Sequence, residues 1–151
     1  RLASRDAYLA LARQAVGKAR GMLLIFPEEG LLPLPVPSDR LSYSTQATEA
    51  LAPWPSFARE TGSALVLGAT VVDAASGAYT NELLLVAPDG TVQRYAKHAL
   101  VPFGETIPGK GLLAPLLALL GMPSNEFAAS SQALAPWPLS LGRADYRIGP
   151  L

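Results

Sequence analysis

The stretch GMLLIFPEEGLLP, residues 21 to 33, drives five apolar residues into Pro27 and then into two adjacent carboxylates, Glu28 and Glu29. A carboxylate directly after a buried strand lies at the end of a sheet, where open α/β folds place their sites. Partial burial there raises the pKa of such a group and makes it a better general base near neutrality. One of the two glutamates can serve in this way while the other points into water. A solvated turn is the commoner fate of a glutamate pair, and these residues alone leave both readings open.

A second candidate is YAKHALVPFGE, residues 95 to 105. Lys97 follows a strand-like run, and Glu105 comes eight residues later in a Pro/Gly loop. A lysine can supply a fixed positive charge to a developing oxyanion. Glu105 could hold that lysine or orient a base. The bland reading is a hairpin-end lysine and a surface glutamate, with His98 a structural or exposed neighbour. A third candidate, GLLAPLLALLGM (111–122), has almost no polar face. It is either core or an exposed apolar patch that meets a membrane or a partner.

Two carboxylates and a lysine make no reaction without a nucleophile. Cysteine is absent, which removes thiolate metal sites, disulfides and a cysteine nucleophile from this stretch of chain. Ser42, Ser44, Ser63 and Tyr95 are available, but no Gly-x-Ser-x-Gly elbow occurs. One histidine cannot build a multi-histidine zinc site. Twelve basic residues balance twelve acidic ones, so no polyanion binder and no nucleic-acid partner is expected. No cofactor is implied. No window reaches the ~18 apolar residues that span a bilayer. With 151 residues the chain suits one domain. It opens on Arg1 and closes on YRIGPL, and it reads as a piece of a longer chain.

The elements that would position these groups follow from periodicity. Residues 4–19 carry Tyr8, Leu11, Ala12, Ala15 and Val16 at helical spacing, with Ser4 as N-cap and Gly21 as the stop. Residues 22–26 suggest a strand covered on both faces. Pro33, Pro35 and Pro37 predict an extended loop. Residues 44–60 predict a helix interrupted near Pro53-Trp54-Pro55. Residues 64–73, 78–88 and 91–96 read as an antiparallel meander turning at Ser76-Gly77 and Asp89-Gly90. A loop at 101–109, a short apolar helix at 110–121 and a strand beginning at 143 complete the chain. The pattern is α/β or α+β, with helices packed on a mixed sheet.

FPEEGLLP, then YTNELLLVAPDGTVQRYAKHALVPFGETIPG, then YRIGPL resemble, in order and spacing, the nitrilase-type domain of the bacterial apolipoprotein N-acyltransferase family. Nitrilases and amidases at large share an aromatic-Pro-Glu and a lysine after a strand. The run from Lys97 through Leu100-Val101-Pro102-Phe103-Gly104-Glu105 resembles the acyltransferase branch. The resemblance implies an α/β nitrilase-like αββα sandwich, of which residues 1–151 are a partial catalytic domain. The rest of the domain and a transmembrane bundle would lie outside this sequence. It also implies Glu28 as general base, Lys97 as stabiliser of the tetrahedral intermediate and Glu105 as a supporting acid beside them. Glu29 has no such counterpart. The nucleophile it implies is a cysteine just beyond the segment that ends this sequence, so the fragment alone is expected to be inactive.

The partners implied are a phospholipid acyl donor and an apolipoprotein acceptor, with membrane contact through Gly111–Met122. The location implied is the outer, periplasmic face of the bacterial inner membrane. Two other readings stand beside this one. The chain could be a soluble nitrilase- or amidase-type carbon–nitrogen hydrolase, or a non-catalytic remnant.

Overall fold

A computed structural model describes residues 2–27, 32–37, 51–72, 78–102, 105–107, 119, 127–131 and 135–149. Its first helix, α1, spans Leu2–Val16. Ala12 and Val16 are its buried residues, and Tyr8 and Leu9 pack beside them. The inward stripe is therefore rotated from the expected one. Ala15 is exposed and Leu11 faces solvent at 58% exposure. Ser4 lies inside the helix and is not its N-cap. The helix stops at Gly17, not at Gly21. Gly17 adopts φ +52° and its N–H bonds the Arg13 carbonyl at 2.9 Å, a left-handed end that glycine reaches without a Cβ penalty.

The three strands of the meander and its Asp89-Gly90 turn are as expected, while the turn expected at Ser76-Gly77 lies outside the described residues. Strands β3 (Ala64–Val72), β4 (Tyr79–Val86) and β5 (Val92–Ala96) are consecutive antiparallel neighbours. β1 (Leu23–Ile25) joins β3 in parallel, from Leu23 beside Ala64 to Ile25 beside Val66, so the sheet is mixed. The proline segment departs from expectation. Leu32–Pro37 is a strand, β2, parallel to β3 farther along the edge that β1 occupies. The register with β3 shifts between Leu32 and Val36, and Pro33, Pro35 and Pro37 each lack an N–H. An edge strand tolerates that, because its outer side needs no ladder partner.

The break expected near Pro53-Trp54-Pro55 falls at Ala52, between a helical Leu51 and a helix that Pro53 opens. Helix α2 spans Pro53–Thr61 with proline in its first turn and Gly62 as a left-handed C-cap. The first-turn N–H groups have no intrahelical partner, so proline loses nothing there. Residues 44–50, the front of the expected helix, lie outside the described residues. Trp54, Phe57 and Ala58 form the buried stripe of α2. They pack with Ala12 and Val16 of α1 on one face of the sheet, formed by Leu65, Leu67, Ala69, Val71, Leu84 and Val86. Phe26 joins this layer edge-on to Tyr8 and Trp54, at centroid distances of 5.9 and 5.4 Å.

The opposite face, carrying Ala64, Val66 and Leu85, is partly covered by Trp137 and Leu139. These come from a hairpin of β6 (Trp137–Leu141) and β7 (Ala144–Ile148). β7 matches the strand expected from residue 143. β6 was not expected, because Pro138 within five residues argues against a strand. As an edge strand of a two-stranded sheet it accommodates that proline.

The Asp89-Gly90 turn joins β4 to β5. The Asp89 carboxylate accepts from the Thr91 N–H at 2.8 Å and the Thr91 hydroxyl at 2.7 Å, which hold its pKa below the ordinary carboxylate value. Gly90 sits at φ +83°, where a Cβ would meet the Arg59 guanidinium and stand 3.2 Å from the Pro55 carbonyl. Gly90→Ala is expected to destabilise the fold by about 1–3 kcal/mol. Urea unfolding would measure it as a lower midpoint with an unchanged slope.

Candidate active site

β4 alternates its side chains between the two layers. Thr80, Glu82, Leu84 and Val86 face the helices; Tyr79, Asn81, Leu83 and Leu85 face the other way. β5 does the same, and Lys97 follows its last residue on the side of Tyr95. The Lys97 N–H bonds the Asn81 carbonyl at 2.8 Å. Asn81 and Lys97 thus stand next to each other on the face opposite the helices.

Glu105 reaches this pair from the loop after β5. A tight turn carries it: the Glu105 N–H bonds the Val101 carbonyl at 2.9 Å, and Pro102 bridges to Thr106. The turn is tied back by an extended segment at 127–130. There Phe127 N–H bonds the Glu105 carbonyl at 2.9 Å, Ser130 N–H bonds the Lys97 carbonyl at 3.0 Å, and Ala128 N–H bonds the Tyr79 carbonyl at 2.6 Å.

The Glu105 carboxylate collects three donors. Oε1 accepts from the Lys97 ammonium at 3.0 Å and the Asn81 amide at 2.9 Å; Oε2 accepts from the Val101 N–H at 2.8 Å. Desolvation pushes the pKa of Glu105 up. It is outweighed by the Val101 N–H, the Asn81 amide, and the hydrogen bond and charge of Lys97, so the net shift is downward from 4.5. Glu105 is therefore a fixed anion near neutrality, suited to holding Lys97 and unsuited to accepting a proton. The Lys97 side chain keeps 31% exposure against 13% for Glu105. The lysine is clamped from behind while part of it stays accessible.

A depressed carboxylate contributes stability above its unfolded pKa, and that contribution disappears as pH falls through the folded value. The stability gap between the wild-type protein and Glu105→Gln is expected to be full near pH ~7 and to narrow as pH drops below 4.5. Denaturant unfolding at a series of pH values would read it. A gap constant down to the acid limit would contradict the clamp.

Of the sequence-derived candidates, the structure brings Lys97 and Glu105 into contact. Glu28 and Glu29 lie outside the described residues; the chain is described to Pro27, with Phe26 N–H bonded to the Val66 carbonyl at 2.9 Å. The segment Gly111–Met122 also lies outside them except for Leu119, which is 81% exposed. No helix among the described residues is long and apolar enough to cross a membrane. His98 stacks on Tyr95 at 5.6 Å, and its Nε2 is buried with no hydrogen-bond partner among the described residues. Ser63 is fully buried and its Oγ accepts from the Met22 N–H at 3.3 Å, which marks it as structural. Asn81 was missed. Its only signal was an amide within the strand-like run YTNELLLV.

The sequence profile of the carbon–nitrogen hydrolase family matches residues 3–119. Similar curated proteins include the apolipoprotein N-acyltransferase of Haemophilus influenzae, 30% identical over 91% of this chain and 25% of that protein. The enzyme of the same name from Pasteurella multocida is 28% identical over 87% of this chain and 24% of its own length. The chain thus spans about a quarter of these relatives. Among solved structures, a CN-hydrolase superfamily protein from Xanthomonas campestris superposes with a TM-score of 0.53 at 21% identity, covering 97% of this chain and 46% of that one. An N-terminal amidase superposes with a TM-score of 0.59 at 12% identity, covering 95% and 31%. The nitrilase-like α/β fold is shared with both.

Proposed function

This chain belongs to the carbon–nitrogen hydrolase family, and from that premise we propose that residues 1–151 are part of the catalytic domain of an apolipoprotein N-acyltransferase. The observation that carries the reading is the clamped ammonium. Lys97, partly accessible and held by Glu105 at 3.0 Å, is poised to meet a negative charge that develops on a substrate oxygen. The names of the matched relatives support the choice of acyl transfer within the family.

In the proposed cycle a cysteine thiol supplied from beyond Leu151 loses its proton to Glu28. The thiolate attacks the acyl carbonyl of a phospholipid ester, and Lys97 offsets the oxyanion. The carbon–oxygen bond breaks, the lysophospholipid leaves as the alcohol with the proton returned by Glu28, and a thioester remains. The α-amine of a lipidated N-terminal cysteine on an apolipoprotein then attacks the thioester. Glu28 takes the amine proton and returns it to the departing sulfur, leaving an amide. Both substrates live in a bilayer, so the domain would work at the outer face of the inner membrane. Gly111–Met122 would provide the lipid contact, consistent with the exposure of Leu119.

The test is intact-mass analysis of the full-length protein after incubation with phospholipid vesicles. One added acyl group, removed by hydroxylamine, is the expected result. Turnover of small soluble amides with no adduct would replace this reading with a soluble hydrolase, and inertness in both assays would favour a non-catalytic remnant.

A further inference from the structure

On the helix-covered side of β4 and β5 lies an ion pair that the proposed chemistry does not use. Glu82 is 4% exposed, on a strand face where Leu84 and Val86 follow it and Thr80 precedes it. Arg94 grips it with two parallel bonds, Nε to Oε2 at 2.7 Å and Nη2 to Oε1 at 2.6 Å. The Thr80 hydroxyl adds a third donor to Oε1 at 2.8 Å. The neighbours of Glu82 across the sheet are Ala69 on β3 and Ala96 on β5, small residues that leave room for the fork. A buried carboxylate is costly unless donors surround it, and a guanidinium fork fixes direction as well as charge.

The placement of the fork gives it a consequence on the opposite face. Glu82 is opposite Ala96, and Arg94 is opposite Leu84, so the fork spans the intervening Leu83–Tyr95 rung and diagonally ties the two rungs that are neighbours on the helix-covered face. Glu82–Ala96 is the final rung of the β4–β5 ladder, and Lys97 is the next residue. Any splaying of that rung would move the Lys97 backbone away from the Asn81 carbonyl. We propose that Glu82 and Arg94 are the positioning pair for Lys97, clamping the end of the β4–β5 ladder from the helix side so that the Lys97 ammonium and the Asn81 amide meet Glu105 on the other. Its bearing on catalysis rests on the role proposed for Lys97; the positioning itself does not.

Two variants test the pair. Glu82→Met/Arg94→Met removes both charges at once, so the net charge near Glu105 is conserved. Arg94→Lys keeps the charge but loses the fork. In each, carbon NMR follows the titration of the Glu105 carboxyl, assigned through the Glu105→Gln spectrum, and amide exchange follows the Lys97 N–H. In both variants Glu105 is expected to titrate higher by about half a pH unit or more as its donors drift. Lys97 N–H exchange should accelerate about tenfold or more, with Leu84 and Val86 still protected. A lower melting temperature with Glu105 titration and Lys97 exchange unchanged would overturn the proposal, since it would make the pair a stability element alone. Full retention of wild-type values by Arg94→Lys would overturn it too, because the fork would then be dispensable. No readout involves turnover, so failure of the acyl-transfer reading would appear separately, in the vesicle assay.

Discussion

Lys97→Ala is expected to lower the rate of acyl transfer by ~10²-fold or more while leaving the protein folded. The rate effect follows from what a clamped ammonium does. Its charge is already aimed before the oxyanion forms, so the transition state gains stabilisation that the neutral ester does not. The modest effect on folding follows from the donors that remain. Without the lysine, the Glu105 carboxylate still accepts from the Asn81 amide and the Val101 N–H. The measurement is single-turnover formation of the acyl adduct in the full-length protein, with thermal unfolding beside it. The loss should fall on kcat and leave KM nearly unchanged, because the interaction matures only in the transition state. Wild-type turnover in this variant would remove Lys97 from the mechanism.

The second large effect is expected at Glu28. Glu28→Gln preserves shape but removes the group that accepts the thiol proton, so formation of the acyl adduct should be abolished. Its melting temperature should stay close to that of the wild type, since the local backbone anchor is the Phe26 N–H to Val66 bond and involves no Glu28 side-chain atom. The pH dependence of thiol alkylation gives a second readout. Losing the base should move thiolate formation toward the ordinary cysteine range of ~8.5. An acyl adduct forming at the wild-type rate would assign the proton to another group.

The meander was legible because its strands carry strong β formers and its second turn carries Asp89-Gly90, which commits the backbone locally. The Lys97–Glu105 contact was legible as one possibility among others, since eight residues of Pro/Gly loop allow a return but do not compel it. β2 and β6 were not legible. Prolines at 33, 35, 37 and 138 disfavour a strand, and only the tertiary arrangement shows that edge positions excuse them. The stripe of α1 was misjudged because Leu11 is as apolar as Leu9, and the partner surface, not the periodicity, selects between them. Asn81 and the Glu82–Arg94 fork were invisible for a related reason. Adjacent polar residues near the start of a strand look like its solvated end until the strand is known to be covered on both faces.

That double coverage has a consequence for how this segment can change over generations. Asn81 and Glu82 are chain neighbours that serve opposite layers, one amide for Glu105 and one carboxylate for Arg94. Inserting or deleting a single residue upstream within β4 would exchange their destinations, sending an acid toward the lysine and an amide into the helix layer. Related sequences can therefore diverge here by replacement, whereas alterations in strand length should be selected against far more strongly than in the loops on either side.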